Sequence, residues 1–145
     1  MRRVPWKGTD PLYRGDSSAG VAVPDPLAKL SVVEHVLYLG GRGRRTQFSS
    51  TTESEEVAEH FGGANGCVYL TKAALAAGVG AKHLSRRQLL ENLRGFGKGK
   101  AKWTDKWEVA QAAQYVALWS EHLLDWSGVT EARIASHVGH VFRKR

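Results

Sequence analysis

Apolar side chains set the frame of the chain. Val109, Ala112, Ala113, Val116 and Trp119 recur at three- and four-residue steps, which predicts a helix over 105–120. Asp105 and Glu108 stand at its start in capping-box spacing. Leu27, Leu30, Val33, Val36 and Leu37 give a second helical stripe over 27–39, stopped by Gly40 and Gly41. Leu89, Leu90 and Leu93 mark a third helix from Ser85 to about Arg94, with Ser85 as N-cap and Gly95 as its stop. Glu53–Phe61 reads as a helix whose early acidic residues suit the positive end of the helix dipole. Ser54, Thr52 or Thr51 can cap it, and Gly62-Gly63 ends it. Lys72–Ala77 reads as a helical turn.

The remaining apolar and β-branched runs predict strands. They are Leu12-Tyr13-Arg14, cut off by Gly15-Asp16-Ser17-Ser18; Thr46–Thr52; Cys67–Thr71; and Ile134–Phe142. Leu123-Leu124-Asp125-Trp126 either continues the preceding helix or begins a strand, and Ser127-Gly128 breaks it. Residues 1–11, with Pro5, Gly8 and Pro11, form an irregular arm, and 17–26 form a loop. Arg42–Arg45 make a basic turn, and 95–103 a flexible basic loop. No internal repeat is visible. The sum is a mixed α+β domain spanning 1–145, with polar motifs at strand ends.

A chain of 145 residues is one domain by length. Such a domain buries roughly two-thirds of its unfolded surface and needs no staple. The single cysteine, Cys67, has no partner in the chain and sits in an apolar run. No cysteine and histidine cluster at zinc spacing, and no HExxH pattern occurs, so no metal is expected. No stretch approaches the roughly 20 apolar residues of a membrane span, so no membrane insertion is expected. Arg2 and Arg3 are not followed by the apolar core of a signal peptide, so a secreted role requires another export route, or a longer chain of which this is one domain. The net charge of +7 favours polyanions or acidic partners without identifying one.

Three segments carry candidate chemistry. In Leu12-Tyr13-Arg14-Gly15-Asp16-Ser17, an arginine ending a strand presents a planar fork of donors suited to phosphate. In Phe48-Ser49-Ser50-Thr51-Thr52, hydroxyls follow an apolar anchor and either cap the next helix or contact a ribose. In Ser120-Glu121-His122, a carboxylate precedes a loop, Ser127 to Arg133. His35, on the helix 27–39, is ordinarily a core or surface residue, although its neighbours place it within reach of these motifs. Gly95–Lys100 lacks the spacing of a phosphate loop.

Taken in order, these segments resemble the arginine–serine–glutamate (cholera- and pertussis-toxin-like) group of ADP-ribosyltransferases. Leu12–Ser17 resembles the family's first motif, and Phe48–Thr52 with the following helix its serine–threonine–serine motif. Gly128–Ile134 resembles the segment after the catalytic glutamate. The likeness covers about residues 10–71 and 119–141. It implies a split β-sandwich of two small sheets with flanking helices and a central NAD cleft. It also implies transfer of ADP-ribose from NAD to a protein or nucleic acid, as in a bacterial toxin or effector domain.

Carried over by the resemblance, Glu121, Arg14 and Ser50 are catalytic. Tyr13, Arg14, Gly15, Ser50, Thr51, Thr52 and Phe61 contact NAD. A toxin of this kind implies a cognate immunity protein in its producer, and action in the cytoplasm of producer or target cell. Two features depart from the pattern. Trp119 stands two residues before Glu121, where the family often has Glu or Gln, and the spacing from Glu121 to Val129 is one residue long. Glu108 is the alternative acid. Trp119 and Trp126 flank Glu121 and are candidates to stack on nicotinamide or on an acceptor base. The alternative functions are an NAD glycohydrolase, a basic nucleic-acid-binding module, and the same fold without catalysis.

Overall fold

The computed structural model describes residues 5–38 and 45–145. In chain order the elements are β1 (Leu12–Ser17), α1 (Val32–Leu37), β2 (Phe48–Thr52), α2 (Glu55–Gly62), β3 (Gly66–Thr71), α3 (Ala73–Gly78), β4 (Lys82–Leu84), α4 (Arg86–Asn92), α5 (Lys106–Trp119), β5 (Glu121–Asp125), α6 (Ile134–Val141) and β6 (Arg143–Lys144). The chain is thus a mixed α+β domain. Its strands pair antiparallel throughout, in the order β4-β5-β2-β1-β3-β6.

Both faces of the sheet are covered. Adjacent residues of a strand point to opposite faces, so Leu123 and Leu124 of β5 are both fully buried, each in a different core. Leu123 joins Phe48 beneath α1, α4 and α5, with Val33, Leu89 and Val116. Leu124 joins Trp126 and Tyr69 against α3 and α6, with Ala76 and Val138. Burial on both sides explains why the Leu123–Trp126 run lacks alternation and reads equally as strand or helix.

The expected pair of separate small sheets is instead one sheet with a weak centre. Five residue pairs join β2 to β5 and six join β1 to β3, whereas Tyr13–Thr52 alone pairs β1 with β2. Past that pair the two halves part. The packing of α2 on β1 belongs to the same geometry. A Cβ at Gly15 would lie 1.9 Å from the Ala58 carbonyl oxygen and 2.4 Å from the Gly62 nitrogen. Only glycine lets the helix sit that close, and this is why a turn-like Gly-Asp-Ser continues β1 rather than ending it.

Other elements depart from the periodicity. Ile134–Phe142 is not a strand but the helix α6. Ile134, Val138 and Val141 are buried while Ala135, Ser136, Gly139 and His140 are exposed, which is a helical period. The helix over 27–39 shrinks to α1, capped by the Ser31 hydroxyl. The buried Gln47 amide takes both backbone groups of Leu30, at 3.1 and 3.0 Å, and Leu27 is exposed. Gly40, Gly41 and most of the Arg42–Arg45 turn lie outside the described residues. Arg45 pairs with Asp25.

The capping box forms at Ser85–Gln88 but not at Asp105–Glu108. There Asp105 accepts from the Trp107 nitrogen, and Glu108 accepts from Trp103 Nε1 at 2.9 Å. Of the N-terminal arm, the described residues 5–11 are irregular, as expected, and residues 1–4 lie outside the description. Trp6 anchors the arm over His122 and His83, with ring centroids 4.5 and 5.6 Å apart.

Gly15→Ala should lower folding stability by about 1–3 kcal/mol or more, the usual cost of overpacking. Urea unfolding checks this. An unchanged midpoint would contradict the close approach of α2 to β1.

Candidate active site

A cavity of about 800 Å³ opens along the seam between β1 and β2, a size typical of ligand sites. Arg14, Ser50 and Glu121 all line it. Strand register brings the last two together. Thr52 faces Glu121 and Ser50 faces Leu123, so Ser50 and Glu121 are diagonal neighbours on one face. The Ser50 hydroxyl donates to Glu121 Oε2 at 2.8 Å. Between α5 and β5 there is no loop. Ser120 turns the chain in a single left-handed residue (φ 49°, ψ 49°), and among the described residues it is the only non-glycine with positive φ. That turn places Glu121 at the first position of its strand. Such a conformation is costly for a residue with a side chain.

His35 completes the site. It is fully buried, with Nε2 2.8 Å from Ser50 Oγ and Nδ1 2.8 Å from Thr46 Oγ1. Proton counting fixes the direction of this chain. Ser50 has one hydroxyl proton and gives it to the ionised Glu121. His35 must therefore donate from Nε2 to Ser50; in a neutral ring Nδ1 then accepts from Thr46. Burial, and secondarily the Arg14 charge, push the His35 pKa down to about 3. Glu121 moves the other way. Burial raises it to about 7, against the opposing effects of the Ser50 hydrogen bond and of Arg14.

Arg14 spans the seam. Its Nη1 donates to the Ser50 carbonyl at 3.0 Å. Its Nε donates to Asp16 Oδ2 at 2.9 Å, with Nη2 also 2.9 Å from that oxygen. Arginine has five N–H donors, so donors remain for an anion in the cavity. Asp16 is itself held by the Ser17 and Ala22 backbone nitrogens.

The other candidates divide by what their side chains touch. Tyr13 lines the cavity beside the one β1–β2 pair. Gly15 also lines it, and its lack of a side chain serves the α2 contact. The Thr51 hydroxyl donates to the His122 carbonyl at 3.1 Å, tying β2 to β5. The Thr52 hydroxyl donates to the Trp119 carbonyl at 2.6 Å and accepts from the Ser54 nitrogen, so it joins the end of α5 to the start of α2. The half-exposed Phe61 meets Trp119 edge-on at 5.0 Å, and Trp119 stacks on Tyr115 at 4.8 Å. Phe61 and Trp119 both line the cavity.

Two candidates lie elsewhere. Trp126 does not face the cavity: it is fully buried in the opposite core, with its Nε1 donating to Ser49 Oγ at 3.0 Å. Glu108 sits in the first turn of α5, roughly 16 Å along the helix from its C-terminal end, and it does not line the cavity.

Sequence reasoning placed His35 within reach of the motifs but ranked it a core or surface residue, and it gave Asp16 no role. The second was detectable: Arg14 and Asp16 are two residues apart on a strand and so share a face. His35 left only its place on a helix, because its partners come from β2 and from Thr46 just before it.

The arrangement combines a guanidinium with donors to spare, a carboxylate with a raised pKa, an oriented hydroxyl and an aromatic side wall. Among the described residues no cluster of three or more His, Cys, Asp or Glu could hold a metal. No helix there is long and apolar enough to cross a membrane. Compared with protein families, curated proteins and solved structures, the chain matches none.

The raised Glu121 pKa has a consequence for stability. A carboxyl raised from its ordinary 4.5 to about 7 supports the fold fully below the lower value, and that support is lost as pH rises through the upper one. Glu121→Gln, which cannot ionise, should gain stability relative to the parent between about pH 5 and about pH 8, by on the order of 3 kcal/mol. Paired thermal melts across that range check it. A constant difference between the two proteins would contradict the raised pKa.

Proposed function

We propose that the chain is an ADP-ribosyltransferase that binds NAD in the seam cavity and passes ADP-ribose to a macromolecular acceptor. The observation that carries this reading is the convergence of Arg14, Ser50 and Glu121. Arg14 lies 36 residues from Ser50, and Ser50 lies 71 from Glu121, yet hydrogen bonds link all three beside one cavity. A sheet that opens at its centre supports a split, transferase-like fold, with the cavity as the nucleotide cleft.

In this reading Arg14 holds the diphosphate with the donors that Asp16 and Ser50 leave over. Phe61 and Trp119 flank the nicotinamide end. The ribose C–N bond breaks, its electron pair leaves with neutral nicotinamide, and positive charge develops on the ribose. Glu121 accepts the ribose 2′-hydroxyl hydrogen bond and stabilises that charge. A fixed carboxylate in a site largely free of water does this far more strongly than solvent. Ser50, oriented by His35, keeps Glu121 aimed. Carboxylates do comparable work in glycoside cleavage, where a leaving group also departs an anomeric carbon. The acceptor then attacks the ribose carbon and loses a proton.

Nicotinamide release from NAD tests the reading. Glu121→Gln should lower the rate about 10²–10³-fold, the scale seen when one transition-state electrostatic contact is lost. NAD affinity should hardly change, and Glu108→Gln should behave as the parent. Because the carboxylate is the working form, the rate should fall as pH drops below about 7. Absence of NAD turnover, or its loss in Glu108→Gln with retention in Glu121→Gln, would overturn the assignment. Label on a nuclease-sensitive or protease-sensitive fraction identifies the acceptor class, and nicotinamide release without labelling identifies water.

A further inference from the structure

The charge of the protein is concentrated in one stretch. From Lys82 to Lys106 there are eight Lys and Arg against two Asp and Glu, a surplus of six in a chain whose net charge is +7. Part of this charge is used internally. Lys100 pairs with the buried Asp125, Arg87 with Glu91, and Arg86 donates to the Ala117 carbonyl. Among the described residues, Arg94, Lys98 and Lys102 are exposed and have no carboxylate partner.

These three cations border the loop from Gly95 to Lys102, which is built rather than loose. The Gly97 nitrogen donates to the Arg94 carbonyl, the Lys98 nitrogen to the Asn92 carbonyl, and the Trp103 nitrogen to the Phe96 carbonyl, all within 2.9 Å. A 3₁₀ turn at Gly99–Ala101 lies within it, with Ala101 fully buried. Gly97 has φ +78°, and a Cβ there would lie 1.8 Å from the Ala101 carbonyl oxygen. The hydrogen-bonded loop holds out one large apolar side chain, Phe96, 58% exposed and two residues along the chain from both Arg94 and Lys98. Just beyond the loop Trp107 is 75% exposed, with the Lys106 ammonium 5.5 Å from its ring. A merely solvated basic loop has no use for exposed aromatic rings.

We propose that this loop is a docking surface for single-stranded nucleic acid. A base stacks on Phe96 while the flanking phosphates lie against Arg94, Lys98 and Lys102. Aromatic platforms beside a basic track are how such strands are held without sequence readout. A duplex hides its base faces and gains only the charge term. An acidic protein likewise gains nothing from the Phe96 ring. In an ADP-ribosyltransferase this surface recruits the acceptor strand. That link rests on the reading above; binding itself does not.

Fluorescence anisotropy with a labelled single-stranded oligonucleotide of about 15 nucleotides tests the proposal on the full chain. Affinity should fall with salt, and Lys98→Gln with Lys102→Gln together should reduce the log–log slope by about 1.4, two phosphates' worth for a single strand. Phe96→Ala should weaken binding about tenfold with the slope intact. Glu121→Gln should bind as the parent does, so this test stands whether or not NAD is turned over. Circular dichroism melts of the exposed-residue variants confirm that they fold. Failure to bind at low salt, an unaltered affinity for Phe96→Ala, or equal affinity for a duplex or for polyglutamate would overturn the proposal.

Discussion

The hydrogen bond from Arg14 to the Ser50 carbonyl is the contact on which the rest of the site depends. In a closed sheet that carbonyl, on the β1 side of β2, would pair with β1. A backbone acceptor taken out of its strand ladder pairs with another donor, from a side chain or from water. The guanidinium supplies it at 3.0 Å, and Asp16 fixes its other edge. Opening the sheet and charging the cavity are therefore one structural event. Remove the arginine, and the seam loses both its backbone donor and the cation that faces the cavity.

From that cation a second set of constraints follows. Arg14 makes a protonated His35 still less favourable and partly offsets the burial of Glu121. A neutral histidine has one donor and one acceptor nitrogen, which is what a directed run from Thr46 through His35 and Ser50 to Glu121 requires. The left-handed turn at Ser120 removes any slack between α5 and β5. Glu121 is thus held from its backbone and from its carboxylate, the kind of preorganisation that electrostatic catalysis needs.

Much of this was legible in the sequence, for reasons that can be stated. The Ser85 N-cap and the three- and four-residue spacing of Val109, Ala112 and Val116 in α5 follow local rules. Ser85 caps its helix and the α5 stripe is buried, as expected. The order of arginine, hydroxyls and acid along the chain singled out residues that the fold does bring to one cavity. What was hidden depended on tertiary context. The run Ile134–Phe142 is apolar enough for a strand, and only its burial shows the helical period. Leu27 and Leu30 fit a helix, but Gln47, far along the chain, takes the Leu30 backbone. Strands β4 and β6 are three and two residues long, too short to carry a pattern. Trp126 lies near Glu121 in sequence, yet strand alternation sends it to the other face.

The same molecule carries two surfaces of different chemistry, a recessed cavity at the seam and a hydrogen-bonded basic loop beyond α4. A crystal structure of Glu121→Gln with NAD would show whether the first is the nucleotide site. The diphosphate should lie on Arg14, with the nicotinamide ribose 2′-hydroxyl within hydrogen-bond distance of residue 121. NAD bound away from the seam, or no NAD bound at saturating concentration, would contradict that placement.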